Sequence, residues 1–128
     1  LPEGATALVY SRGSVPATSL GMIQKGMTSV TAASKTTYTA VASDQIVVDT
    51  AANVVTITLP ATPAVGDEVT IMDGSATGGF ATNNCVVARN GSNIEGAASD
   101  DSLTVNNQCV TLIYANATKG WLYKSTNQ

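Results

Sequence analysis

The chain is 128 residues long, with a formal net charge of −3, 12% charged side chains, 44% hydrophobic ones and no histidine. That length fits one compact domain with a short extension, and such a domain buries enough surface to fold without a metal or disulfide staple. The composition excludes a coiled coil, which needs Glu, Lys, Leu and Arg in quantity, and disorder, which goes with few apolar residues and high net charge. Six Lys and Arg, placed singly and outnumbered by nine carboxylates, speak against nucleic-acid binding. Without histidine no Ser-His-Asp or Cys-His relay can be built, and a catalytic zinc site loses its commonest ligand. No apolar run approaches the ~20 residues of a membrane-spanning helix. The remaining class is a low-charge, β-rich structural or binding module, not an enzyme, with no cofactor or metal.

The first 35 residues lack a regular pattern. The chain opens at Leu1 rather than at methionine, which leads us to expect a processed or partial polypeptide. Ala7-Leu8-Val9-Tyr10 is a short apolar run, and Arg12 to Ser19 carries loop chemistry, with Gly13 and Pro16. Leu20 to Thr31 mixes apolar residues with two glycines and supports neither helix nor strand; it holds Met22 and Met27, thioethers that suit a surface adapting to a partner as well as a core gap. Residues 1–35 read as an extended N-terminal arm that docks on something else.

From Thr36 the pattern becomes regular. Thr36 to Val41 is β-branched and aromatic, and Gln45 to Asp49 follows the turn-prone Ser43-Asp44. Asn53 to Pro60 alternates, with Val55, Ile57 and Leu59 on one face and Thr56 and Thr58 on the other, the period of a half-buried strand. Pro60 and Pro63 close that strand, and Glu68 to Asp73 begins the next with Val69 and Ile71 on one face. Asn84 to Arg89 leads into the turn dipeptide Asn90-Gly91, and Ile94 suits a short strand after it. Leu103 to Val105 and Gln108 to Tyr114 flank Asn106-Asn107, which reads as a two-residue hairpin turn, and Lys119-Gly120 turns into a final strand, Trp121 to Lys124. The expected fold is all-β: a single small sandwich or barrel-like domain over residues 36–128, of about eight short antiparallel strands, preceded by the arm.

Candidate chemistry is sparse. Asp67-Glu68 resembles an acid–base pair, but neighbours on a strand point to opposite faces, so a turn role is favoured. Asp100-Asp101 offers two oxygens to a hard cation that needs several more. Asn83-Asn84 and Asn106-Asn107 suit turns more than carbohydrate binding, and Gly74, Gly78 and Gly79 lack the Lys-Ser/Thr of a phosphate loop. Trp121 and Tyr123 share a strand face and could stack on a sugar, although a lone tryptophan usually belongs to the core. Parity places Cys85 with Val87, whereas Cys109 lies opposite Val110 and Leu112, so two free thiols on different faces are expected rather than a disulfide.

The succession TTYTA (36–40), DQIVVDT (44–50), VTITLPATPAVGDEVTIMD (55–73), TNNCVVARNGSNIEG (82–96), CVTLIY (109–114) and GW (120–121) resembles a β-module found in virion proteins of tailed bacteriophages, in head-decorating proteins, head fibres and tail fibres. The likeness covers about residues 36–124 and leaves out the arm. It implies a non-enzymatic structural protein, commonly a homotrimer. The expected function is that of a capsid decoration (cement) protein on the outer surface of the virion shell, with the major capsid protein and further copies of itself as partners. Leu8, Val9, Tyr10 and Arg12 of the arm are the expected shell contacts, Arg12 because a guanidinium grips carboxylates bidentately. The alternative is a tail-fibre or receptor-binding module that recognises a host surface glycan.

Overall fold

The computed structural model describes residues 26–126. The strands are β1 (Met27–Thr31), β2 (Thr37–Thr39), β3 (Gln45–Asp49), β4 (Val55–Thr58), β5 (Glu68–Asp73), β6 (Cys85–Ala88), β7 (Asp101–Leu103), β8 (Cys109–Asn116) and β9 (Gly120–Thr126). No helix occurs among the described residues. The strands form two mixed sheets, one of five strands in the order β1-β3-β5-β8-β9 and one of four in the order β2-β4-β6-β7.

Chain order and sheet order together define the architecture. From β1 to β6 the chain alternates between the sheets at every strand, so each return to a sheet lays a new strand parallel to the previous one. Met27 thus sits opposite Gln45, and Gln45 opposite Thr70; in the other sheet Thr56 links Thr37 to Val86. The result is three stacked coils, each with one strand per sheet. A parallel crossover usually runs through a helix; here a strand of the opposite sheet carries it. The expectation of antiparallel strands is therefore corrected: four pairings are parallel, and only β5–β8, β6–β7 and β8–β9 are antiparallel.

Three further corrections follow. Asn106-Asn107 does not make a hairpin. Asn107 takes φ +63° and Gln108 N–H donates to the Val105 carbonyl at 3.2 Å, but β7 and β8 belong to different sheets, so the turn is a crossover. Met27–Thr31, which lies in the segment read as arm, is an edge strand of the five-stranded sheet, with Val30 buried. Ile94 forms no strand, only isolated bridges to Ala97 and Trp121.

Alternate residues of both sheets point into one core. Val30, Ile46, Val48, Val69, Ile71, Val110, Leu112 and Trp121 from the larger sheet join Val55, Ile57, Cys85, Val87 and Leu103 from the smaller, with Leu59 and Phe80 filling from the connections. Each fully buried Val, Leu, Ile or Phe contributes about 1.5–3 kcal/mol. The coils also sort the turns into two ends. Gly26, the β2–β3, β4–β5 and β6–β7 connections and the β8–β9 hairpin lie at one end; the β3–β4, β5–β6 and β7–β8 connections lie at the other.

Candidate functional site

The carboxylates noted in the sequence do not converge on a reacting centre. Asp67 closes the turn before β5: its Oδ2 accepts from Ala64 N–H at 2.8 Å. Glu68, the first residue of β5, lies instead against Lys124 at 2.9 Å on the surface. Asp100 Oδ1 accepts from Arg89 N–H at 2.9 Å, while Asp101 takes Ser102 N–H at 2.8 Å and the Tyr123 hydroxyl. Burial first, and then the Asp101 hydrogen bond, push the Tyr123 phenol far above its ordinary value, so it remains a donor. This bond ties β9 of one sheet to β7 of the other. Among the described residues no group of three or more His, Cys, Asp or Glu is gathered for a metal.

The aromatic and thiol positions follow the parity argument. Trp121 is fully buried and meets Tyr114 edge-on, with ring centroids 5.7 Å apart, so it offers no platform to a sugar. Its Nε1 has no hydrogen-bond partner among the described residues. Cys85 points into the core and its thiol is pushed up to about 12, first by burial and then by the charge of Asp73. Cys109 lies half-buried on the outer side of β8, and both cysteines are free. Leu8, Val9, Tyr10 and Arg12 lie outside the described residues.

Sequence reasoning missed Asp73. At the end of β5 its Oδ1 accepts from Ser75 N–H at 3.0 Å, and its Oδ2 accepts from Phe80 N–H at 3.1 Å and Asn107 N–H at 2.9 Å. Asn106 Oδ1 completes the knot by accepting from Ala81 N–H at 2.9 Å. Gly79, at φ +121°, lets the backbone approach: a Cβ there would fall 2.5 Å from Asn106 Oδ1 and 2.7 Å from Asp73 Oδ2. Partial burial raises the Asp73 pKa, but hydrogen bonds from the Ser75 hydroxyl and from the Ser75, Asn107 and Phe80 amides outweigh it and hold the carboxyl below its ordinary 3.8. The small-residue loop and the Asn pair were legible as turns; their common acceptor was not.

Two depressions lie at the Gly26 end. One, about 280 Å³, is lined by Asp44, Gln45, Gly66, Asp67 and Glu68 among others; the second, about 200 Å³, by Ile94, Glu95, Asp100 and Asp101 among others. Their carboxylates are engaged: Asp44 Oδ2 accepts from the Tyr38 hydroxyl and from Val41 N–H, each at 2.9 Å, and Glu95 Oε2 accepts from Tyr123 N–H at 2.9 Å.

The outward faces of the sheets are the larger features. On the four-stranded sheet one register row runs Thr37, Thr56, Val86, Ser102, and the next Thr39, Thr58, Ala88, with no charge in either. On the five-stranded sheet the rows run Ser29, Val47, Met72, Cys109 and Met27, Gln45, Thr70, Thr111, and the Thr70 and Thr111 hydroxyls lie 3.0 Å apart. Its charged groups are the Glu68–Lys124 pair and Asp49, whose Oδ1 accepts from Ala51 N–H at 2.8 Å. The sequence matches no protein-family model and no curated protein.

Proposed function

We propose that this chain is a bacteriophage capsid decoration protein: a two-sheet sandwich body, three copies to an assembly, attached to the outer shell through the N-terminal arm. The observation that carries the reading is the outward face of the four-stranded sheet, whose register rows carry no charge, on a body with net charge −3. Charged surface keeps a protein solvated and apart from its copies, whereas broad uncharged faces suit packing in a lattice. The β-module resemblance over residues 36–124 supports the same reading. Decoration stabilises a shell by mass action, because binding favours the assembled state, and three arms multiply weak single contacts. In this reading Leu8, Val9 and Tyr10 fill an apolar recess of the major capsid protein and Arg12 meets its carboxylates.

The test is co-sedimentation of the full chain with empty capsids of the phage that encodes it, beside a version lacking residues 1–25. Saturable binding that the truncation abolishes supports the reading. Undiminished binding without the arm removes its role, and labelled protein found on the tail of whole virions replaces the reading with a receptor-binding module.

A further inference from the structure

We propose that Ser19–Met22 adds a strand to the four-stranded sheet, parallel to β2, and so closes the edge that the described residues leave open. β2 stands first in the order β2-β4-β6-β7, so among the described residues only one of its sides is paired. Thr36 C=O and Ala40 N–H are bonded to β4, at 2.8 and 2.7 Å. Backbone groups along a strand alternate in direction, so the N–H and C=O of Thr37 and Thr39 point to the open side.

The chain itself supplies the occupant. Twenty-five residues precede Gly26, and Gly26 leads directly into β1. From β1 to β6 every strand is followed by one in the other sheet. A segment entering β1 by the same rule comes from the four-stranded sheet, where the open place is beside β2. The connections in this part of the stack are regular: residues 32–36, 40–44 and 50–54, five each. Five residues before β1 are 22–26, which puts the strand at Ser19–Gly21, as long as β2. Met22 then holds the place of Ala40, which follows β2 and still bonds to β4.

Side-chain parity agrees. At this end of the stack the inward Tyr38 and the inward Ile46 are eight residues apart. Eight residues before Thr28, the partner of Ile46, stands Leu20. Leu20 therefore stacks on Tyr38 and Met22 on the buried Ala40, while Ser19 and Gly21 continue the outward rows of Thr37 and Thr39. Tyr38 is only half-buried, so a leucine over it removes further apolar surface from water. The same count marks where the stack stops. In the five-stranded sheet β1 pairs with β3 at a distance of eighteen residues, and eighteen before the buried Val30 is Arg12. A guanidinium in that place would be a buried, unpaired charge. Residues 1–18 therefore leave the body at the end opposite Gly26, where β2 begins. The closure does not depend on the capsid reading; under that reading it decides which end of the body faces the shell.

Amide hydrogen exchange on the full chain, read residue by residue by NMR, tests this. Thr37 and Thr39 N–H are expected to exchange at least about tenfold more slowly than in an unprotected chain, at every protein concentration. The Leu20 methyls should give nuclear Overhauser contacts to the Tyr38 ring. Leu20→Asp should restore fast exchange at Thr37 and Thr39, whereas Ser19→Asp, one residue away on the outward face, should keep it slow. Ile57 and Val87 amides, in the middle of the sheet, report that each variant is folded. If Leu20→Asp does not fold, the wild-type rates and contacts decide alone. Fast exchange at Thr37 and Thr39 in the wild type, absence of the Leu20–Tyr38 contacts, or a folded Leu20→Asp that stays protected overturns the proposal. Protection that is lost on dilution also overturns it, and gives the edge to another copy of the chain.

Discussion

Replacing Asp73 by alanine takes one acceptor away from three backbone donors at once, and the structure fixes what that costs. Phe80 is fully buried, so its N–H cannot turn to water; a buried donor left unmade costs about 1–3 kcal/mol. Asn107 is exposed and Ser75 half-buried, so water replaces much of what their N–H groups lose. The sum is about 2–4 kcal/mol, a large share of the ~5–15 kcal/mol that holds a domain together. At about 4–8 °C per kcal/mol for a domain of about 100 residues, the melting temperature falls by roughly 8–32 °C. Asp73→Asn keeps one carbonyl oxygen but aims an NH₂ at a donor, and falls between. The pH dependence has a definite sign. A carboxyl whose folded pKa lies below 3.8 contributes stability that is present above that value and is lost as pH drops through the folded pKa. Urea titrations read by Trp121 emission, between pH 2.5 and pH 6, should show a falling midpoint at the acid end, with a shallower fall in Asp73→Asn. If Asp73→Ala unfolds within 0.5 kcal/mol of the wild type, the shared-acceptor argument is wrong.

Four other outcomes are expected. Gly120→Ala places a Cβ 2.0 Å from the Asn93 carbonyl oxygen, at φ +71°, and should cost more than about 3 kcal/mol by urea unfolding. Gly91→Ala, with φ +97° but open space around it, should cost only about 1–2 kcal/mol, so equal losses would show that φ and not contact decides. Tyr123→Phe removes the hydroxyl that ties β9 to Asp101; because Asp101 keeps Ser102 N–H, a loss of about 1–2 kcal/mol is expected, and no change in urea midpoint would deny the tie a stabilising role. Thiol titration of the folded protein should count one reactive cysteine, Cys109, and a second only in denaturant; two fast thiols, or a reducible band shift, contradict the buried Cys85.

The sequence carried the strands better than their arrangement. Gln45–Asp49 and Glu68–Asp73 coincide with β3 and β5 because alternation and turn residues bound them on both sides. Opposite facing of Cys85 and Cys109 followed from parity, and burial of Trp121 from the habit of a lone tryptophan to fill the core. Strand direction did not, since a half-buried strand alternates in the same way whether its neighbour runs with it or against it. Nothing local distinguishes a turn that returns to the same sheet from one that crosses, so Asn106-Asn107 looked like a hairpin. β1 was missed because in Met27–Thr31 only Val30 is fully buried, leaving no apolar period to read. Asp73 was missed because its donors, Ser75, Phe80 and Asn107, meet only after the β5–β6 and β7–β8 connections are brought to one end.

The low charge of the chain acquires a physical sense once every partner is placed. Among the described residues each carboxylate accepts a hydrogen bond, and all but Glu68 take a backbone N–H. The acids are spent on fastening connections at the ends of the coils, where parallel crossovers leave amides that no ladder satisfies. That use puts the carboxylates at strand ends and in connections and leaves the middle of the sheet faces to Thr, Val, Ala and Met. It also bears on the edges. β9 has Glu95 and Gly96 bonded to the Trp121 and Lys119 carbonyls, and β7 is three residues long with a carboxylate in it. β1 and β2 carry no charge, no proline and no described neighbour on their outer side. Edges so bare invite pairing unless something covers them. Among the described residues the stack is thus guarded at one end and uncovered at the β1–β2 end. A free body on its own would be at risk of association there. If residues 1–25 are deleted, concentration-dependent growth of larger species is expected from pairing at the β1–β2 edge, and a protein that stays a single small species at every concentration would show that this edge needs no cover.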